Sequence, residues 1–116
     1  MDSLWNGRWR GLTLQIERRR ARDGGGPTLR VLAPEAEGAA REWLRFDAFE
    51  RQPHWHFDPE GEDEIRPLDE RVDPIAEAFD RLTQETASLL ERAGAPEALV
   101  RTAAVSYTHL TLPTKA

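Results

Sequence analysis

Residues 43–59 read WLRFDAFERQPHWHFDP, and the fold turns on how this stretch is read. It holds two of the four Trp, three of the four Phe and two of the three His. From Arg41 to Arg51, Leu44, Phe46 and Ala48 alternate with Trp43, Arg45, Asp47 and Phe49. Successive strand residues point to opposite faces, so the alternation predicts a strand with large apolar groups on both sides and a central place in a sheet. Gln52-Pro53 marks a bend, because proline cannot donate to a ladder. His54 to Asp58 reads as the next strand, with Trp55 and Phe57 on one side and His54, His56 and Asp58 on the other.

Working toward the N-terminus, Thr28 to Leu32 is a short strand. Arg8 to Arg18 is another, since Leu12, Leu14 and Ile16 alternate with polar residues. Between them, Asp23-Gly-Gly-Gly-Pro27 has the composition of a turn. It lacks the Gly-Lys-Ser/Thr ending of a phosphate loop. The basic run Arg18-Arg19-Arg20, with Arg22, reads as a solvated strand end.

Working toward the C-terminus, Pro59-Glu-Gly61 ends the fourth strand and an acidic loop runs to Glu64. Ile65 to Leu68 is a short extended piece. Asp73 is then a good N-cap, Pro74 suits the first helical position, and Gly94 suits the end. Between them Ile75, Phe79, Leu82, Thr86, Leu89 and Ala93 form one apolar stripe. Pro96 opens a second helical run, EALVRTAA. The expected class is α+β: a small antiparallel sheet of about four strands, then one long amphipathic helix packed on one face. Trp5, Trp9, Trp43 and Phe49 would supply apolar material for the other face, and a homodimer would cover it.

A chain of 116 residues is one small domain. It has no cysteine, hence no disulfide and no thiolate metal site. The formal charge of −5 argues against general nucleic-acid binding. No stretch is long and apolar enough for a membrane span or a secretory leader, so the expected location is cytoplasmic.

The end of the chain changes character. Residues 105–114 read VSYTHLTLPT, which matches one reading frame of a transposase adapter used in sequencing libraries. The expected organisation is a single domain at 1–104, truncated at its C-terminus, followed by a non-native tail at 105–116. His109 and Tyr107 are set aside with that tail.

The candidate site is His54, His56 and Asp58. Two imidazoles and a carboxylate on one strand face suit zinc, iron or manganese. Asp47, Glu60, Glu62 and Asp63 are possible further oxygen ligands, and Arg45 joins Asp47 as a binding candidate. The spacing resembles the metal motif of metallo-β-lactamase-fold hydrolases, but Pro59 stands where that motif has another His. A cupin motif is imitated by His54, His56 and Glu60, without the preceding Gly or the second motif. The first functional expectation is a small binding or interaction domain, homodimeric, without catalytic machinery and with an unidentified ligand. The alternative is a divalent-metal-binding protein or metal-dependent enzyme using His54, His56 and Asp58. A third is a small RNA-cleaving toxin with paired His as acid and base.

Three segments together resemble a family of small prokaryotic proteins: Arg45-Phe-Asp-Ala-Phe49, Pro53-His-Trp-His-Phe-Asp-Pro59, and Leu90-Glu-Arg-Ala-Gly94. The resemblance covers roughly the first hundred residues. The family is a domain of unknown function, so the resemblance implies that these positions act together and implies no activity.

Overall fold

The computed structural model describes residues 2–21, 24–34, 40–49, 51–68 and 73–105. Six strands are followed by two helices: β1 (Asp2–Trp9), β2 (Leu12–Ala21), β3 (Gly24–Pro34), β4 (Ala40–Asp47), β5 (His54–Phe57), β6 (Glu64–Pro67), α1 (Pro74–Arg92) and α2 (Glu97–Val105). The strands form one antiparallel sheet in chain order, β1-β2-β3-β4-β5-β6.

The sheet therefore has six strands where the alternation predicted about four, and a second helix joins the first. The N-terminal strand was hidden by Gly7. Trp5, Gly7 and Trp9 sit opposite Ile16, Leu14 and Leu12 on the apolar face, but a glycine breaks the apparent period. A Cβ at Gly7 would come within 2.3 Å of the Trp5 ring, so glycine there makes room for the indole. The segment Gly24–Pro27 is paired strand, not turn, with Gly24 opposite Ala21 and Pro27 opposite Arg18. Gly25 and Gly26 hold φ of 115° and 153°, a region side chains avoid. Asp23, the rest of the expected turn, and Arg22 of the basic run lie outside the described residues, as do 106–116. α2 runs through Val105, the first residue of the adapter-like stretch.

One face of the sheet is apolar. Leu12, Leu14, Leu29, Val31, Leu44, Phe46, Trp55 and Phe57 all join a single buried cluster with Phe79, Leu82, Leu89 and Leu90 of α1. Asp73 caps α1 by accepting a hydrogen bond from the Ile75 N–H at 3.1 Å. The Trp9 indole N–H donates to Thr86 Oγ1 at 3.0 Å, tying β1 to α1 across the core. Next to it, Glu85 interrupts α1 with non-helical φ and ψ of −130° and 29°. Phe46 stacks on Trp55 with centroids 5.1 Å apart. The guanidinium groups of Arg81 and Arg92, from α1, lie over the Trp55 and Phe57 rings.

β4 carries a bulge. Val31 faces Leu44, but the next pair is Leu32 with Glu42, so Trp43 is the extra residue. The alternation alone puts Trp43 beside Arg45 and Asp47. The bulge instead lets Trp43 enter the apolar cluster at 4% exposure, and brings Glu42 to the polar face with Arg30 and Arg45. No described helix is long and apolar enough to cross a membrane.

Candidate functional site

The site lies on the sheet face opposite the helices, where β4 and β5 pair. Directly opposed residues on antiparallel strands share a face. Two rows result: Arg30, Arg45, His56 and Ile65, and beside it Thr28, Asp47, His54 and Pro67. Their centre is Asp47, only 2% exposed. One carboxylate oxygen, Oδ1, accepts from the Thr28 hydroxyl at 2.9 Å. The other, Oδ2, lies 3.0 Å from His56 Nε2 and 3.1 Å from His54 Nε2. The two imidazoles meet edge to face, with centroids 5.0 Å apart.

The far nitrogens of both rings are also engaged. His54 Nδ1 lies 2.9 Å from the Gln52 carbonyl. A carbonyl only accepts, so this nitrogen carries the proton. His56 Nδ1 lies 2.6 Å from the Asp63 carboxylate, again an acceptor. A neutral ring with its proton on Nδ1 turns a lone pair toward Asp47 from Nε2. Lone pair against carboxylate is repulsive, and at His56 the Arg45 guanidinium lies 3.2 Å from Nε2 as a cation beside the pair.

For His56 the second proton is favoured. Its hydrogen bond with Asp47 raises the pKa above the ordinary histidine value; burial opposes this, and the bond to Asp63 reinforces it. Burial acts to raise the pKa of Asp47, but the His56 bond, the Arg45 charge and the Thr28 bond outweigh it and hold the carboxyl below its ordinary value. Arg45 reaches His56 Nε2 at 3.2 Å. Its contacts to carboxylates are long, 3.5 Å to Asp47 and 3.4 Å to Glu42. Arg19, expected at a solvated strand end, lies 3.9 Å from Asp47.

The candidates from the sequence divide accordingly. His54, His56, Asp47 and Arg45 come together. Asp58 does not join them. The strand stops at Phe57, and Asp58 takes φ of 55°, which turns its side chain to an ion pair with Arg41 and to the Glu62 N–H at 3.2 Å. Asp63 holds His56 from behind. Glu60 accepts from the Glu42 N–H at 2.6 Å, while Glu62 is exposed. Thr28 is the participant the sequence did not single out; only the β3–β4 register reveals it.

A donor set follows. Asp47, His54 and His56 each offer one ligand atom, and these lie within 4.8 Å of one another. Beside His54 opens a groove of about 450 Å³, lined by Gln52, Pro53, His54, Ile65, Pro67 and Leu68.

A family profile described as a domain of unknown function, DUF7700, matches residues 10–110. The chain belongs to that family. The match spans every element from β2 to α2 and therefore the candidate residues at β4 and β5. No curated protein and no solved structure gives a significant match.

Proposed function

We propose that the domain binds a divalent transition metal, zinc best of all, through Asp47 Oδ2, His54 Nε2 and His56 Nε2. One observation carries this reading: both Nε2 atoms converge on one carboxylate oxygen while both Nδ1 atoms face oxygen acceptors. Metal-bound histidines have this arrangement, with the second ring nitrogen donating to a carboxylate or carbonyl. Two of the three ligand separations also fit. Tetrahedral zinc with bonds of about 2.0–2.1 Å separates its ligand atoms by ~3.3 Å, close to the 3.0 and 3.1 Å found between Asp47 and the two rings. Three protein ligands would leave a fourth position open, as in sites that engage a small molecule.

The test is metal content and titration calorimetry on purified protein. One zinc per chain is expected, lost in His54→Ala and retained in Asp58→Asn, since asparagine tolerates the left-handed backbone at that position. If zinc, cobalt and manganese all fail to bind, the reading is wrong. Loss of zinc in Asp58→Asn with retention in Asp47→Asn would move the site to the other carboxylate.

The interaction-domain reading keeps one observation in its favour. The two edge strands each expose a large apolar side chain, Leu4 on β1 at 50% and Ile65 on β6 at 56%. A homodimer through either edge would appear in light scattering and be lost on Leu4→Glu or Ile65→Glu.

A further inference from the structure

We infer that the open position of this metal centre receives a small amphiphilic carboxylate, with its charged head at the metal and its apolar tail along β6. The inference rests on the metal reading and adds a ligand class to it. The two lateral rows grade across one sheet face from charged to apolar. Arg30 and Arg45 lie on the β3 and β4 side, the His54 and His56 imidazoles in the middle, and Ile65 and Pro67 on β6.

At the polar end, a divalent ion with Asp47 and two neutral imidazoles keeps a net positive charge. Arg45 adds a guanidinium 3.2 Å from His56 Nε2, and Arg19 adds another near Asp47. Arg45 bonds His56 Nε2 at 3.2 Å and lies 3.4 Å from Glu42 and 3.5 Å from Asp47, so it adds positive charge beside the metal position. At the other end, the groove wall is Pro53, Ile65, Pro67 and Leu68, and His54 belongs to both groove and donor set. A volume of about 450 Å³ suits a small organic acid. A purely inorganic anion would leave the apolar wall unused, and a neutral apolar molecule would bring no charged ligand to the open metal position.

The experiment uses the full chain loaded with cobalt(II), whose visible bands report its coordination. Hexanoate, acetate and hexanol are titrated separately. Hexanoate is expected to shift the bands and to bind roughly tenfold tighter than acetate, the effect of burying about two methylenes; hexanol is expected to leave the bands unchanged. Ile65→Ser alters an exposed side chain, so it should keep cobalt affinity while bringing hexanoate close to acetate. Equal binding of hexanoate and acetate overturns the ligand class and leaves the metal site standing, as does equal binding of hexanoate and hexanol. Failure to bind cobalt at all overturns both.

Discussion

The two faces of β4 and β5 are built from alternate residues of the same short strands, yet they are held by different forces. On one face Phe46, Trp55 and Phe57 bury ring surface under α1, and close packing is the whole requirement. On the other, Asp47 and His56 are as deeply buried, at 2% and 6% exposure, but every polar atom needs a partner. The apolar face is sensitive to volume and indifferent to pH. The polar face is sensitive to charge, and a substitution that conserves volume can still break it.

The largest expected effect is on the apolar side. Phe46→Ala should destabilise by about 3–5 kcal/mol in chemical denaturation, through lost burial and the cavity left behind. Its metal affinity, measured below the unfolding transition, should stay within about threefold of wild type, a shift of ~0.7 kcal/mol. A large change in affinity would mean that the faces are mechanically coupled.

Asp47→Ala comes next, at about 3 kcal/mol, because it strands Thr28 and His56 without their common acceptor and removes the carboxylate beside Arg45. Thermal or urea denaturation measures it. A cost below about 0.5 kcal/mol, the range of an ordinary surface substitution, would show that the polar face contributes no stability of its own.

His54→Ala separates function from folding. Its ring is partly exposed, so a stability loss of about 1 kcal/mol or less is expected, while zinc affinity should fall by ~100-fold, in line with loss of a metal ligand or its support. Equal zinc affinity would remove His54 from the site.

The smallest effect is in pH. The His56 pKa is raised on folding, so its contribution is full below the ordinary histidine value of about 6.5 and is lost as pH climbs through the folded one. The Asp47 pKa is depressed, so its contribution is present above about 3.9 and is lost as pH falls through the folded value. Metal-free protein should therefore melt at a higher temperature at pH 6 than at pH 8. Zinc should reverse that order, since it needs deprotonated imidazoles. An unchanged melting temperature in metal-free protein would indicate that the Asp47–His56 pair does not contribute to stability.

The alternation carried much of this. It sorted Trp55 and Phe57 from His54 and His56, and the caps of α1 were plain in Asp73, Pro74 and Gly94. What it missed were single-residue events. Gly7 concealed an inward strand position, because the side chain filling the space belongs to Trp5. The triple glycine resembled a turn, because pairing through Gly25 and Gly26 depends on backbone freedom and not on side-chain pattern. Asp58 looked like the third member of a row, but a strand one residue shorter turns it to Arg41. Asp47 entered only as a supplementary ligand, since its position beside both imidazoles depends on the register between two strands. No local pattern encodes that register.

The bulge at Trp43 gives β4 two phases. Downstream of it, odd-numbered residues meet the polar face; upstream, even-numbered ones do, and Glu42 arrives there only because one residue is spent crossing over. The informative perturbation at this point is a change of length. Deleting Trp43 would keep Asp47 and Leu44 in register with β5. It would also leave Leu32–Glu42, Ala33–Arg41 and Pro34–Ala40 paired as they are, so Arg30 and Asp58 would keep their partners and the core would lose the buried indole alone.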